Sequence, residues 1–294
     1  MNMFRNIFKA NSQPSPSPEF AKPWRPVTWS DQYKKDMLKK LKETKLSLSG
    51  SKKLRVLLHG PVGAGKSSFI NSVNSALQGR ISTIALADAA TGDSFTTKFN
   101  EYRMKEAPGS FYPFVFADVM GLEQERGVRT EDIISILRGH VKNDYTFNPV
   151  SPIDTKNEYY NSEPTLEDKV HCLVSVLPAD KVSLISDEVI QKMKQVREKA
   201  RDLGIPQVVI MSMVDKVCPL VQENLKNIYT SRKIKEKIEE CSNRLGVPMN
   251  CIFPLKNYSE EVTNDLEVDI LILMATTSII QFANDYVENQ TYTE

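Results

Sequence analysis

The sequence predicts an α/β fold, a doubly wound and mainly parallel sheet flanked by helices, and three observations carry the prediction. Apolar runs of strand length at 54–58, 111–117, 170–177, 207–214 and 250–254 alternate with longer stretches of helical character. The runs are nearly continuous in apolar residues rather than alternating, as in strands covered by helices on both faces. The first run, within LRVLLHGPVGAGKSS, passes directly into Gly60-x-x-x-x-Gly65-Lys66-Ser67, the complete phosphate-binding-loop pattern. A strand before the glycines and a helix after them define the P-loop NTPase class.

A chain of 294 residues suits one medium domain with additions. The expected organisation is a flexible Pro/Ser-rich leader at 1–29, an amphipathic helix at 30–49 and a GTPase-like P-loop domain at 50–290, with 141–164 as a loop insertion. A net charge of +1 argues against a dedicated nucleic-acid binder. Four cysteines without a C-x-x-C pair suit reduced thiols and a cytoplasmic location better than disulfides or zinc. The first residues lack the apolar core of a signal peptide, and the longest unbroken apolar run, 270–275, is far too short to predict an integral membrane segment.

In chain order, SQPSPSPEF favours polyproline II, with Trp24 and Trp29 placed to pin the leader's end onto the domain. Ser30 is an N-cap for a helix whose apolar stripe is Tyr33, Met37, Leu41 and Thr44 or Leu48, opposite a lysine face. After the glycine loop a helix over 67–77 closes at Gly79. A loop at 81–97 and an edge strand at 97–105 follow, then the 111–117 strand and a helix over 130–140. Beyond the insertion and the 170–177 strand, a helix over 187–203 stops at Gly204 and Pro206. One charged helix is expected over 222–245 and a long final one over 265–288.

In such sheets the ligand lies beyond the carboxyl ends of the strands. Gly60 turns the chain, and Gly63 and Gly65 present no Cβ to a phosphate. The N–H groups from Val62 through Ala64 to Ser68 can then converge on phosphate oxygens, helped by the helix dipole. Lys66 is placed to neutralise the β- and γ-phosphates, and the Ser67 hydroxyl to ligate Mg²⁺. Asp118 opens Asp118-Val119-Met120-Gly121 at the end of a buried run. Its carboxylate suits Mg²⁺ and the Gly121 N–H a γ-phosphate. The first mobile loop offers Thr91, Thr96 and Thr97 as a further Mg²⁺ ligand, with Thr96 favoured by the SFTT run.

Where a guanine-binding domain carries [NT]-K-x-D, this chain has Ser212-Met213-Val214-Asp215. Asp215 either accepts from the guanine edge or caps the next turn, and Lys216 is the nearest cation to replace the missing lysine. Leu255 and Lys256, after the last short strand, stand where a backbone N–H meets the guanine O6. Leu122 occupies the position of a water-orienting glutamine. That implies slow hydrolysis, or activation by dimerisation or by a partner's arginine, with Arg126 and Arg129 available in trans. No catalytic residue is assigned.

GPVGAGKSSFINSVNSALQGRI, followed by SFTTKF, FADVMGLE and FPLKNYSEE, resembles the interferon-induced protein 44 family, including its short fish-type forms, over 48–286. Longer members carry an additional N-terminal TLDc-type region, whose function is not implied for residues 1–49 here. The resemblance implies a cytoplasmic protein of the innate antiviral response that binds GTP/GDP and Mg²⁺. It implies protein partners, or a homodimer through the nucleotide face. The departure at Ser212-Met213 bears on guanine selectivity. The alternatives are a nucleotide-poor pseudo-GTPase acting as an interaction scaffold, and an ATP-using P-loop enzyme.

Overall fold

The computed structural model describes residues 17–44, 46, 53–85, 97–125 and 127–291. In chain order the elements are α1 (Asp31–Lys42), β1 (Leu54–His59), α2 (Lys66–Gln78), β2 (Asn100–Ala107), β3 (Ser110–Asp118) and α3 (Thr130–Leu137). Then come β4 (Cys172–Pro178), α4 (Asp187–Asp202), β5 (Gln207–Ser212), α5 (Pro219–Glu223), α6 (Arg232–Leu245), β6 (Ile252–Pro254) and α7 (Leu266–Thr291). The strands form one sheet in the order β2-β3-β1-β4-β5-β6. Only β2 runs antiparallel, against β3. This is the doubly wound sheet of a P-loop NTPase.

Helices α1, α2 and α7 lie on one face, and α3, α4 and α6 on the other. Both faces of β1 and β4 are therefore covered, which is why neither strand exposes a residue. Phe69 of α2 meets Phe116 of β3 edge-on at 5.9 Å, seating the helix that follows the glycine loop on the sheet. The composition of α7 would suit a bilayer, but 67% of its most apolar window is buried and it packs on β1, β4 and α2. That is the packing of a core helix. Cys172, Cys218 and Cys241 are buried and all four cysteines are free; burial pushes the Cys241 thiol up to about 12.

The structure departs from the sequence expectations in three places. The charged stretch at 222–245 is not one helix. The Asn224 side chain accepts from Lys226 N and the Ser231 side chain from Ile234 N, so two caps divide it into α5, a 3-10 turn and α6. Residues 17–29, expected within a flexible leader, are tied to the domain. Phe20 N donates to Thr230 O, Trp24 N to Tyr229 O and Arg232 N to Pro18 O. Trp24 packs edge-on against Tyr229 at 4.9 Å; residues 1–16 lie outside the described residues. Among the described residues, the 141–164 insertion carries no helix or strand of its own and is held by isolated bridges, Val141 with Tyr160 and Thr146 with Lys98. Helix α1 ends at Lys42, and 47–52 lie outside the described residues.

Candidate nucleotide site

The parallel register brings Leu58 beside Asp118 and His59 beside Ser175, so the chain leaves β1, β3, β4 and β5 along one edge of the sheet. The glycine loop sits on that edge. Gly60 has φ +149°, and a Cβ there would stand 2.1 Å from the Val176 carbonyl oxygen. Gly63 and Gly65 take left-handed φ values of +69° and +90°. Gly65 is the N-cap of α2 and uses no side chain, which leaves the first-turn N–H groups of Lys66, Ser67 and Ser68 facing the loop. Ala64, Lys66 and Ser67 are buried, Val62 and Ser68 half-buried. The Lys66 ammonium folds back over the loop, donating to Gly60 O at 3.3 Å and Pro61 O at 3.2 Å.

Ser67 Oγ donates to Asp118 Oδ2 at 2.6 Å, so two of the three sequence-predicted metal-ligating groups are brought into contact. A hydroxyl and a carboxylate beside a phosphate cradle are the oxygen donors that a hard cation such as Mg²⁺ takes. Thr91 and Thr96 lie outside the described residues. Thr97 is exposed, and its carbonyl accepts from Phe147 N at 3.0 Å.

The second loop is closed onto the glycine loop. A Cβ on Gly121 would meet Val62 Cγ2 at 2.3 Å and Val62 Cα at 2.7 Å. Leu122 N donates to Gly60 O at 2.9 Å, and the Leu122 side chain is buried. Lys192 on α4 holds the next turn through Glu123 O and Gln124 O at 2.7 and 2.8 Å. Leu122 is therefore a packing residue between the two loops, and its apolar character follows from that position.

At the other end, Asp215 and Lys256 line a common cleft of about 390 Å³ with Asn224, Glu261 and Asp265. Lys256 pairs with Glu261 at 2.7 Å. Burial alone would raise the Glu261 carboxyl, but the bonds from Lys256 and backbone N–H groups outweigh it and hold the pKa at about 2. Two expectations change here. Leu255 is fully buried and its N–H donates to Met211 O at 2.9 Å, so that group extends the sheet and does not face the cleft. Lys216 is exposed and is not among the cleft residues, whereas Lys256 is. Met213 adopts φ +58° to turn the chain between Ser212 and Asp215.

Three residues of the expected base-binding stretches, given no role of their own from the sequence, tie the two ends of the site together. Ser212 Oγ donates to Ala64 O at 2.6 Å, Asn257 Nδ2 to Gly65 O at 3.2 Å, and Tyr258 N to Ser72 Oγ at 3.0 Å. The signal was present at Ser212, whose hydroxyl can donate where a consensus Asn or Thr would. Beneath the loop, His59 Nε2 and Ser175 Oγ are 2.8 Å apart in full burial. Burial first, then the Lys66 charge, press the His59 pKa down to about 3, so the imidazole is neutral.

Comparison with known proteins follows the same outline. Interferon-induced protein 44 of Homo sapiens is 34% identical over 238 residues, 80% of this chain and 53% of that protein. The Mus musculus protein of that name is 34% identical over 236 residues, 80% of this chain and 56% of its own. Interferon-induced protein 44-like of Homo sapiens is 32% identical over 239 residues, again 80% and 53%. The chain thus spans about half the length of the curated relatives it matches. No protein-family model matches the chain. Among solved structures, Toc33 from Arabidopsis thaliana in complex with GDP and Mg²⁺ is 13% identical, covering 88% of this chain and 92% of that one, with a TM-score of 0.45.

Proposed function

The chain belongs to the interferon-induced protein 44 family over the half of those proteins that it spans, and from that premise we propose that it binds GTP and GDP with Mg²⁺ in the innate antiviral response of the cytoplasm. The observation that carries the reading is the Ser67–Asp118 contact at the mouth of the glycine cradle, with Lys66 folded over the same loop. Val62 to Ser68 bind phosphate oxygens through their N–H groups, and Lys66 offsets their charge. Ser67 and Asp118 would hold Mg²⁺, which would supply charge neutralisation to the bound phosphates. Asp215 accepts from the guanine edge, with the Lys256 stem against the base.

Hydrolysis is slow without a partner. Leu122 has no group that could orient water, and its side chain is buried between the loops. A second reading, an interaction scaffold that binds nucleotide poorly, is favoured by the seating of Gly121 and Leu122 on Val62 and Gly60. Titration with fluorescent GDP, GTP and ATP analogues, with and without Mg²⁺, separates the two. Saturable guanine-selective binding, lost in Lys66→Ala and relaxed toward ATP in Asp215→Ala, supports the switch. Absence of binding at millimolar nucleotide overturns it in favour of the scaffold.

A further inference from the structure

The insertion between α3 and β4 touches the chain beyond both loops that flank the glycine cradle. Its first half forms a short antiparallel ladder with 97–99. Phe99 N donates to Tyr145 O and Asp144 N to Phe99 O, each at 2.8 Å, and Phe147 N donates to Thr97 O at 3.0 Å. Glu101 N donates to Asn143 Oδ1 at 2.7 Å. Its second half is held by α3 and the residue before it. Ile153 N donates to Asp132 Oδ1 at 2.7 Å, and an Arg129 guanidinium nitrogen to Val150 O at 3.2 Å. The ends are closed by Lys142 N on Tyr159 O and Asn161 N on His140 O.

We infer that residues 141–161 are a brace holding the strand that leaves the first loop against the helix that leaves the second, with Asp132 as its positioning residue. The energetics single out Asp132. It is fully buried, and its Oδ2 has no hydrogen-bond partner. A carboxylate in such a place costs stability unless its contacts are specific. Among the described residues its side-chain hydrogen bond is to the insertion, whose Tyr145, Phe147 and Ile153 are buried beneath the ladder. Tyr145 and Phe147 of the ladder meet edge-on at 5.4 Å, and both lie in one buried cluster with Ile153 of the second half and Ile133 and Ile136 of α3, which joins the two halves of the insertion through packing. The charged and titratable groups around Asp132 are Arg129 and Glu131 from its own element and Tyr145 from the insertion.

The mechanical consequence is two-way. Loosening the brace at α3 frees the backbone at 97–99, and loosening it at 97–101 frees the backbone at 153. The functional consequence, which rests on the nucleotide reading, is that the position of Thr97 after the first loop and that of Arg129 after the second are set together. The brace then sets how well the triphosphate form is held.

The test is hydrogen exchange on the full chain, with β4 amides such as Val176 as internal reference. Asp132→Ala is expected to speed exchange at Phe99 and Phe147 about tenfold while Val176 is unchanged. Asp132→Asn keeps the acceptor oxygen and restores protection, whereas Asp132→Leu, of comparable size but with no acceptor, leaves exchange fast; rescue by leucine would show a purely volumetric role. Asn143→Ala, at an exposed position, tests the other end and is expected to speed exchange at Ile153. In the binding arm, Asp132→Ala weakens a non-hydrolysable GTP analogue severalfold more than GDP, and Asp132→Asn recovers it. Unchanged exchange at Phe99 in Asp132→Ala together with unchanged exchange at Ile153 in Asn143→Ala overturns the brace. A wild-type chain that binds no nucleotide overturns the proposed function instead, and the exchange arm still decides the brace.

Discussion

Ser67 of α2 and Asp118 at the end of β3 share a 2.6 Å hydrogen bond, from the helix that follows the glycine loop to the strand that would supply the second metal-ligating group. The bond preorganises two oxygens at one point, so a cation that enters replaces one proton-mediated contact and needs little rearrangement. Ser67→Ala removes one ligand and leaves the N–H cradle intact. The expected outcome is that Mg²⁺ no longer strengthens triphosphate binding, a loss of about tenfold or more, while binding in EDTA is unchanged. Calorimetric titration with and without Mg²⁺ reads this directly. Equal Mg²⁺ enhancement in Ser67→Ala and wild type would remove Ser67 from the metal site.

Gly60 and Gly63 should separate in their tolerance of alanine. A Cβ at Gly60 collides with the Val176 carbonyl at 2.1 Å, and both partners are backbone, so β1 and β4 must part. At Gly63 no atom lies within 4 Å, and only the positive φ of +69° is unfavourable. Gly63→Ala is expected to cost about 1 kcal/mol and Gly60→Ala at least about 3 kcal/mol. Urea denaturation followed by circular dichroism gives both values. Similar midpoints for the two variants would mean that β4 can yield locally.

These contrasts explain what was legible in the sequence. The P-loop pattern sits at a place where backbone geometry leaves few residue choices, so Gly60, Lys66 and Ser67 announce their surroundings. The strands were legible because burial on both faces leaves uninterrupted apolar runs such as those of β1 and β4. Contacts made by backbone leave no such trace. Leu255 stood in the right place along the chain, but whether its N–H faced a ligand or Met211 O depended on how β6 pairs with β5. The division of 222–245 into α5, a turn and α6 depended on two caps, Asn224 and Ser231, that sit among charged residues of good helix propensity. In the attachment of 17–29, Trp24 was marked in the sequence and packs on Tyr229, whereas Arg25 is pointed to by no periodicity.

Arg25 supports a prediction of its own. Its guanidinium donates to Ile252 O and Met249 O, each at 2.9 Å, and sits within 5.3–5.4 Å of the Trp24, Tyr229 and Phe253 rings. Strand β6 is the outermost in the sheet, and Arg25 satisfies a carbonyl there that no seventh strand reaches. Arg25→Ala is expected to cost about 2 kcal/mol, since two carbonyl bonds to a charged donor are lost. Arg25→Lys recovers less than half of that, because an ammonium cannot fork to two carbonyls in one plane. Chemical denaturation of the three proteins tests the ranking, and full rescue by lysine would show that charge rather than the planar fork matters.

The pH dependence of stability sets two buried histidines against one buried carboxyl. Burial lowers His59 from 6.5 to about 3. Burial, partly countered by the Leu166 carbonyl, lowers His171 to about 4. A base whose folded pKa is depressed binds its proton more readily when unfolded, so stability is full above about 6.5 and is lost as pH falls. At pH 5 each histidine removes about 2 kcal/mol. Asp132 works the other way. Burial raises it from 3.8 to about 6, so the folded state takes up a proton first, and acidification from pH 7 to 5 returns about 1 kcal/mol. The wild-type urea midpoint should therefore fall between pH 7.5 and 5. In Asp132→Asn, which has no carboxyl to protonate, it should fall further over the same interval. Parallel curves for the two proteins would show that Asp132 does not titrate in this window, and a flat wild-type curve would show that both imidazoles accept protons without opening the fold.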